Sequence, residues 1–212
     1  MKTIEYLKNS NTIFWDFDGV IKDSVEVKSN AFEQLFLPFG KGVADKIRRH
    51  HEENGGMSRF DKLPIYLEWV EQESTQENID KYIKKFSLLV KNKVINSEWV
   101  EGVFDYLKNN HKRQQFFLIT ATPQHEIEDI MNQLNISDYF RHIVGSPTKK
   151  KDALRKIITK FLVNTEKSIM VGDSTSDYEA SILNKVPFIL RKTHLNKDLQ
   201  NKLNTLMMQN YK

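Results

Sequence analysis

The sequence predicts an α/β protein: a doubly wound parallel sheet of Rossmann-like form with an inserted all-helical cap domain. Three observations carry that expectation. Short apolar runs at 12–17, 115–120, 142–144, 168–171 and 187–190 read as buried strands. From the second run onward, segments of helical periodicity such as 126–134 and 151–162 separate each run from the next. Strands alternating with helices imply parallel pairing. The long stretch between the first and second runs shows no strand pattern at all.

Taken in order, residues 1–12 lack an apolar stretch followed by a small-residue cleavage site, so no signal peptide is expected. The first strand follows. The interrupting stretch is then helical in period: Val25, Ala31, Phe32, Leu35 and Phe36; Ile65, Tyr66, Trp69 and Val70; Ile79, Ile83, Phe86 and Val90. Asn54-Gly55-Gly56 ends a helix running from about Val43, and Ser58 is a good N-cap for the next. Ser74 with Glu77 forms a candidate capping box for the last. Residues 103–108 return the chain to the sheet. The expected division is therefore 1–23 with 101–212 as the α/β core, and 24–100 as the cap.

A chain of 212 residues can bury one core, or one core with a small accessory domain. With 39% hydrophobic and 28% charged residues it falls in the soluble globular class. No apolar run approaches the roughly 18 residues that would span a bilayer. The absence of cysteine rules out disulfides, thiolate catalysis and cysteine-held zinc, and fits a reducing, cytoplasmic setting. The net charge is +4 and the pI about 9.0. Residues 25–100 carry 12 Lys+Arg against 12 Asp+Glu, so the excess lies in the core. Its basic runs, such as Lys149-Lys150-Lys151, are too short for a nucleic-acid stripe and suit a small anion. A small phosphorylated metabolite is the expected partner, with no nucleic acid, no membrane, and a monomer or weak dimer.

The chemistry concentrates at strand ends. In Phe14-Trp15-Asp16-Phe17-Asp18-Gly19-Val20 the two acids stand at i and i+2, on one side of an extended segment. They would project beyond the carboxyl end of the strand, where ligands bind in open α/β sheets. Gly19 permits a sharp departure. Carboxylates this close repel, a cation relieves the repulsion, and magnesium suits an all-oxygen set. An Asp-rich turn alone would be unremarkable. A second acidic turn, Gly172-Asp173-Ser174-Thr175-Ser176-Asp177, follows another strand whose end opens on the same edge. Asp177 also reads as a first-turn helix acid. Between them, Thr120 ends a strand, and it and the backbone N–H groups beyond, from Ala121, could hold phosphoryl oxygens. Lysines at 149–151 precede a helix.

This ordered set, Asp16-x-Asp18-Gly19-Val20, Thr120, a lysine of 149–151, and Gly172-Asp173-Ser174-x-x-Asp177, resembles the four motifs of the haloacid dehalogenase-like superfamily. The insertion is similar to the helical cap of the branch holding phosphoglycolate phosphatases and beta-phosphoglucomutases. The resemblance implies a phosphatase with Asp16 as nucleophile, forming an aspartyl-phosphate. Asp18 would be the general acid and base, with a raised pKa. Magnesium would be held by Asp16, the Asp18 backbone carbonyl, Asp173 and Asp177. Thr120, Ala121 and a lysine would bind the phosphoryl group. Lys150-Lys151-Asp152-Ala153-Leu154 fits the superfamily's lysine pattern, which selects Lys150 ahead of Lys149. Gly56-Met57-Ser58-Arg59 looks like the branch's substrate-facing cap loop, so Arg59 and, one turn on, Lys62 would read the substrate. His50 and His51 are read as surface or cap-packing residues, and Trp15, Trp69 and Trp99 as core.

The acid at Asp18 separates the chain from dehalogenases of that superfamily. Two alternatives remain: a sugar phosphomutase of the same branch, and a non-catalytic domain that keeps the fold. The first is disfavoured because Thr120-Ala121-Thr122-Pro123-Gln124 offers no lysine. The second is disfavoured because every motif position keeps its functional residue type.

Overall fold

The structure, a computed structural model, describes residues 2–203 and 205–211. Helix α1 (Lys2–Asn9) leads into β1 (Thr12–Trp15), and four helices follow: α2 (Val25–Phe36), α3 (Lys41–Glu53), α4 (Arg59–Trp69) and α5 (Gln76–Asn96). The chain then alternates: α6 (Val103–Asn110), β2 (Gln115–Pro123), α7 (Gln124–Gln133), β3 (His142–Ser146), α8 (Lys150–Phe161), β4 (Ser168–Gly172), α9 (Thr175–Leu183) and β5 (Phe188–Arg191). Helix α10 (Lys197–Lys202) and β6 (Leu206–Met208) complete it. The six strands are parallel in the order β3-β2-β1-β4-β5-β6. The doubly wound sheet expected from the sequence is present, and its order reverses beside β1, where such sheets bind ligands. Among the described residues no helix is long and apolar enough to cross a membrane.

Strand β1 is buried along its whole length because both faces of the sheet are covered. Alternation sends its side chains to opposite layers. Phe14 joins Phe117, Met170 and the α8 residues Leu154 and Ile157, while Ile13 and Trp15 join Phe116, Leu118, Ile169 and α6. Trp15 packs its ring on Phe116, Tyr106 and Tyr211 at centroid distances of 5.5, 5.8 and 5.5 Å. Such an inner strand tolerates no charge until its end, and the first acid is Asp16.

The inserted helices add aromatic rings to the apolar core that also holds Trp15 and Phe116. Phe32 lies 4.0 Å from Phe86 and 5.3 Å from Tyr66, and Phe36 stacks on Tyr82 at 5.4 Å. The chain leaves and re-enters the core through two neighbouring passages. Val100 N–H donates to Ile21 O, Asp23 N–H donates to Glu98 O, and Lys22 bridges antiparallel to Trp99. Lys22, 2% exposed, donates from Nζ to Ile95 O at 3.1 Å and sits 4.4 Å from the Trp99 ring centre.

Three features depart from the expectation. Helices α1 and α10 and strand β6 were not foreseen, since each is short and only partly apolar. Strand β2 runs on to Pro123, with a register shift against β3 between Ile119 and Pro123. The capping box at Ser74 is not formed. Thr75 is the N-cap of α5 and accepts from Asn78 N–H, while the Ser74 hydroxyl donates to Pro64 O. A hydroxyl on a helix N-terminus contributes about 1 kcal/mol. Thr75→Ala should therefore lower the stability read by urea unfolding by about that amount, and Ser74→Ala by clearly less.

Candidate active site

The carboxyl ends of β1, β2 and β4 bring the expected acids together. One carboxylate oxygen each from Asp16, Asp173 and Asp177 lie within 4.8 Å of one another. Parallel strands make this possible, because β1 and β4 are in register up to Trp15 and Val171, and Asp16 N–H still donates to Val171 O. Gly19 then turns the chain at φ 74°, and a Cβ there would lie 2.1 Å from Asp173 Oδ2. The position needs glycine for its dihedral and for the close approach of Asp173.

One ammonium holds this cluster. Lys150 Nζ lies 2.8 Å from Asp16 Oδ2 and 2.6 Å from Asp177 Oδ1. Of the three lysines at 149–151, Lys150 is thus the one in the site. Burial would discharge it, but Asp16 and Asp177 more than compensate and raise its pKa. Burial and then Asp177 push the Asp16 carboxyl up to about 7, against the pull of Lys150. Asp173 is raised well above the carboxylate range by burial, then by Asp16 and Asp177. A cluster with more buried negative charge than Lys150 neutralises is suited to a divalent cation, and its all-oxygen donors fit magnesium. Asp177 has a further duty: its Oδ2 accepts from Ser174 Oγ at 2.5 Å and Ser174 N at 3.2 Å, closing a capping box on α9.

Asp18 is arranged differently. Its carboxylate turns away from the other acids to accept from Ser24 Oγ at 2.6 Å, Thr122 Oγ1 at 3.2 Å and the ammonium of Lys28. Lys28 also donates to Thr122 Oγ1 at 2.8 Å. Burial would raise this carboxyl, but Lys28 and the hydrogen bonds outweigh it, so its pKa is lowered. The expected raised value is corrected, and the reason is Lys28 of α2, a residue that no sequence motif singled out. Thr120 is 1% exposed; its Oγ1 accepts from Thr122 N–H at 3.2 Å, and it and Ala121 line the cavity above the acids.

Of the two residues expected to read the substrate, Arg59 has partners the sequence did not foresee, and Lys62 lines the cavity. Arg59 reaches the same cavity, but its guanidinium is not free to read a substrate. It donates from Nη1 and Nη2 to both oxygens of Glu126 on α7, at 2.8 and 2.7 Å, and from Nη1 to Ser87 Oγ at 2.7 Å. Both partners are 3% exposed. Glu126 reads in the sequence as an ordinary first-turn helix acid, so nothing marked it as a partner of the cap. Lys62 is 1% exposed, with Nζ 2.7 Å from His51 Nδ1. His51 is buried, as a cap-packing residue should be, while the His50 ring meets Tyr66 Oη at 3.0 Å.

These groups enclose a cavity of about 1050 Å³ between the core acids and the helices above them, with Asp16, Lys28, Lys62, Lys150 and Asp173 among its walls. The family model for haloacid dehalogenase-like hydrolases matches residues 13–190. The chain belongs to that family. A phosphorylated carbohydrates phosphatase of Thermotoga maritima is 26% identical over 181 residues, covering 80% of this chain and 79% of the relative. A phosphoglycolate phosphatase of Pseudomonas putida is 28% identical over 184 residues; the match covers 80% of this chain but 64% of that relative. Among solved structures, a beta-phosphoglucomutase from Clostridium difficile superposes with a TM-score of 0.75 at 19% identity, covering 95% of this chain and 92% of the other. A haloacid dehalogenase-like hydrolase from Streptococcus pneumoniae gives 0.69 at 17%, covering 95% of each. These likenesses extend the shared fold across the inserted helices.

Truncating one member of a buried ion pair leaves the other unpaired, which costs about 3–5 kcal/mol. Arg59→Ala should lower unfolding free energy by about that much, and Arg59→Met with Glu126→Leu should recover most of it. The Arg59 pair holds Glu126 below its ordinary 4.5, despite burial. The contribution is therefore complete above about pH 4.5 and is lost as pH falls through the depressed value. Unfolding curves of wild type and Arg59→Ala across that range should converge on acidification.

Proposed function

We propose that this haloacid dehalogenase-like phosphatase hydrolyses a small phosphate monoester, a phosphosugar or short phosphorylated acid, through an aspartyl-phosphate on Asp16. The observation that carries this reading is the position of Asp16: a buried carboxylate at the end of the central strand, facing the cavity beside Lys150. The phosphatase relatives support it, one named for phosphorylated carbohydrates and others for phosphoglycolate. In this reading residues 24–100 form a cap that closes over the core made by 1–23 and 101–212.

Magnesium would be held by the Asp16 and Asp173 carboxylates and the Asp18 backbone carbonyl, with Asp177 reaching it directly or through water. Bound there, it supplies positive charge against the phosphoryl oxygens and the crowded acids. An Asp16 oxygen attacks phosphorus as the bond to the leaving oxygen breaks, and Asp18 delivers a proton to that oxygen. Water then attacks the aspartyl-phosphate while Asp18 takes its proton, which frees inorganic phosphate and restores Asp16. Thr120, the N–H of Ala121 and the Lys150 ammonium hold the phosphoryl oxygens as charge develops. Lys28 has to release the Asp18 carboxylate before that group can carry a proton.

Purified protein should release p-nitrophenol from p-nitrophenyl phosphate with magnesium, and EDTA should stop it. Asp16→Asn should lose essentially all turnover while keeping its circular dichroism and melting profile. Full activity in that variant would remove the nucleophile from the scheme. Conversion of glucose 1-phosphate to glucose 6-phosphate with little free phosphate would replace hydrolysis by phosphoryl shuttling.

A further inference from the structure

Tyr211 spans the two passages through which the chain leaves and re-enters the core. It follows β6 and is 6% exposed. Its ring meets Trp15 at 5.5 Å and Tyr106 at 6.2 Å between centres. Its hydroxyl donates to Val20 O at 3.1 Å on the way out, and its N–H donates to Glu101 O at 2.9 Å on the way back. Beside it, Asn210 Nδ2 donates to Glu101 Oε2 at 2.7 Å. Burial raises the Tyr211 hydroxyl well above the ordinary tyrosine pKa, so it keeps its proton and stays a donor.

The bond to Val20 falls on the turn that carries Asp18. In that turn Phe17 O accepts from the N–H groups of Val20, Ile21 and Lys22 at 3.3, 2.8 and 3.1 Å, and Gly19 N–H donates to Lys22 O at 2.7 Å. None of these bonds uses the Val20 carbonyl. Val20 is fully buried, so its carbonyl needs a donor from outside the turn, and Tyr211 supplies one. Asp18 stands two residues before Val20, and Ser24, whose Oγ donates to Asp18 Oδ1 at 2.6 Å, stands four residues after it. A shift of the backbone at Val20 therefore displaces both the acid and the hydroxyl that orients it. The Tyr211 ring, for its part, packs against Trp15, the residue before Asp16.

Without the Tyr211 hydroxyl, Val20 O would be left buried and unpartnered, a cost that the turn relieves by moving toward another donor. Catalysis is sensitive to such movement, since a misplacement of about 1 Å from a distant change costs up to about a hundredfold in rate. We infer that Tyr211 is a positioning residue: by holding Val20 O it fixes the turn that places Asp18 for proton transfer, although it does not itself line the cavity. This rests on the reading of Asp18 as general acid and base.

Tyr211→Phe keeps the ring and removes only the hydroxyl. Tyr106→Phe is the control, because Tyr106 Oη donates to Gln114 Oε1 at 2.8 Å in the same aromatic cluster, away from the turn. With p-nitrophenyl phosphate and magnesium, Tyr211→Phe should lower kcat about tenfold or more while KM changes by less than about twofold. Tyr106→Phe should melt at a lower temperature but keep kcat within about twofold of wild type. Hydrogen exchange read by mass spectrometry should quicken across residues 17–24 in Tyr211→Phe and stay as in wild type in Tyr106→Phe. Equal kcat losses in the two variants overturn the positioning role; so does wild-type kcat, or unchanged exchange across 17–24, in Tyr211→Phe. Wild-type protein provides a measurement that needs no variant to fold: its 17–24 amides should exchange as slowly as those of β1, and fast exchange there also overturns the inference. No turnover by wild type would fall on the phosphatase reading instead, and the exchange comparison would still decide whether Tyr211 holds the turn.

Discussion

The contact between the Lys150 ammonium and the carboxylates of Asp16 and Asp177 conditions everything else at the sheet edge. A parallel sheet delivers the ends of β1 and β4 to one place, and three acids so delivered repel one another in a buried setting. Lys150 joins two of them from the first turn of α8. The loops are cut to the same need. Gly172 approaches Asp177 so closely that a Cβ would fall 2.3 Å from the Asp177 Cβ. The geometry thus tolerates little substitution in side chains that never touch a substrate.

The inserted helices are joined to this edge by contacts of a different kind. Arg59 crosses to Glu126, Lys28 crosses to Asp18 and Thr122, and Ser176 Oγ donates to Gly56 O at 3.3 Å. Each is polar or ionic, and the first is shielded from water. Phe86, Val90 and Val94 of the inserted helices belong to the same buried apolar cluster as Val20, Ile21 and Ile127, so these polar links lie beside an apolar seam. The aromatic cluster around Phe32, Tyr66 and Phe86 holds the inserted helices to one another.

The parts legible in the sequence were those with strong periodicity or strong local chemistry. Five strands were visible because inner parallel strands are apolar along their length, and the acids at 16, 18, 173 and 177 because they interrupt such runs at their ends. Strand β6 was missed because Leu206–Met208 is a three-residue edge strand. The role of Arg59 could not be read, since an ion pair between residues 67 positions apart leaves no local pattern, and that of Lys28 depends on how the turn after β1 folds α2 back over Asp18. Ser74 and Thr75 are adjacent hydroxyls, both able to cap, and only the path of the backbone chooses between them.

The paired passages between core and cap have a consequence for how motion here could be seen. The chain has three tryptophans, and they occupy three mechanically distinct places. Trp15 is sealed in the core, Trp69 lies in the cap with Lys46 Nζ 3.7 Å from its ring centre, and Trp99 sits at the joint under Lys22. Indole emission responds to a nearby positive charge and to hydration. A displacement of Lys22 over Trp99 would change the light from that ring while Trp15 stayed constant, so the joint carries its own optical probe.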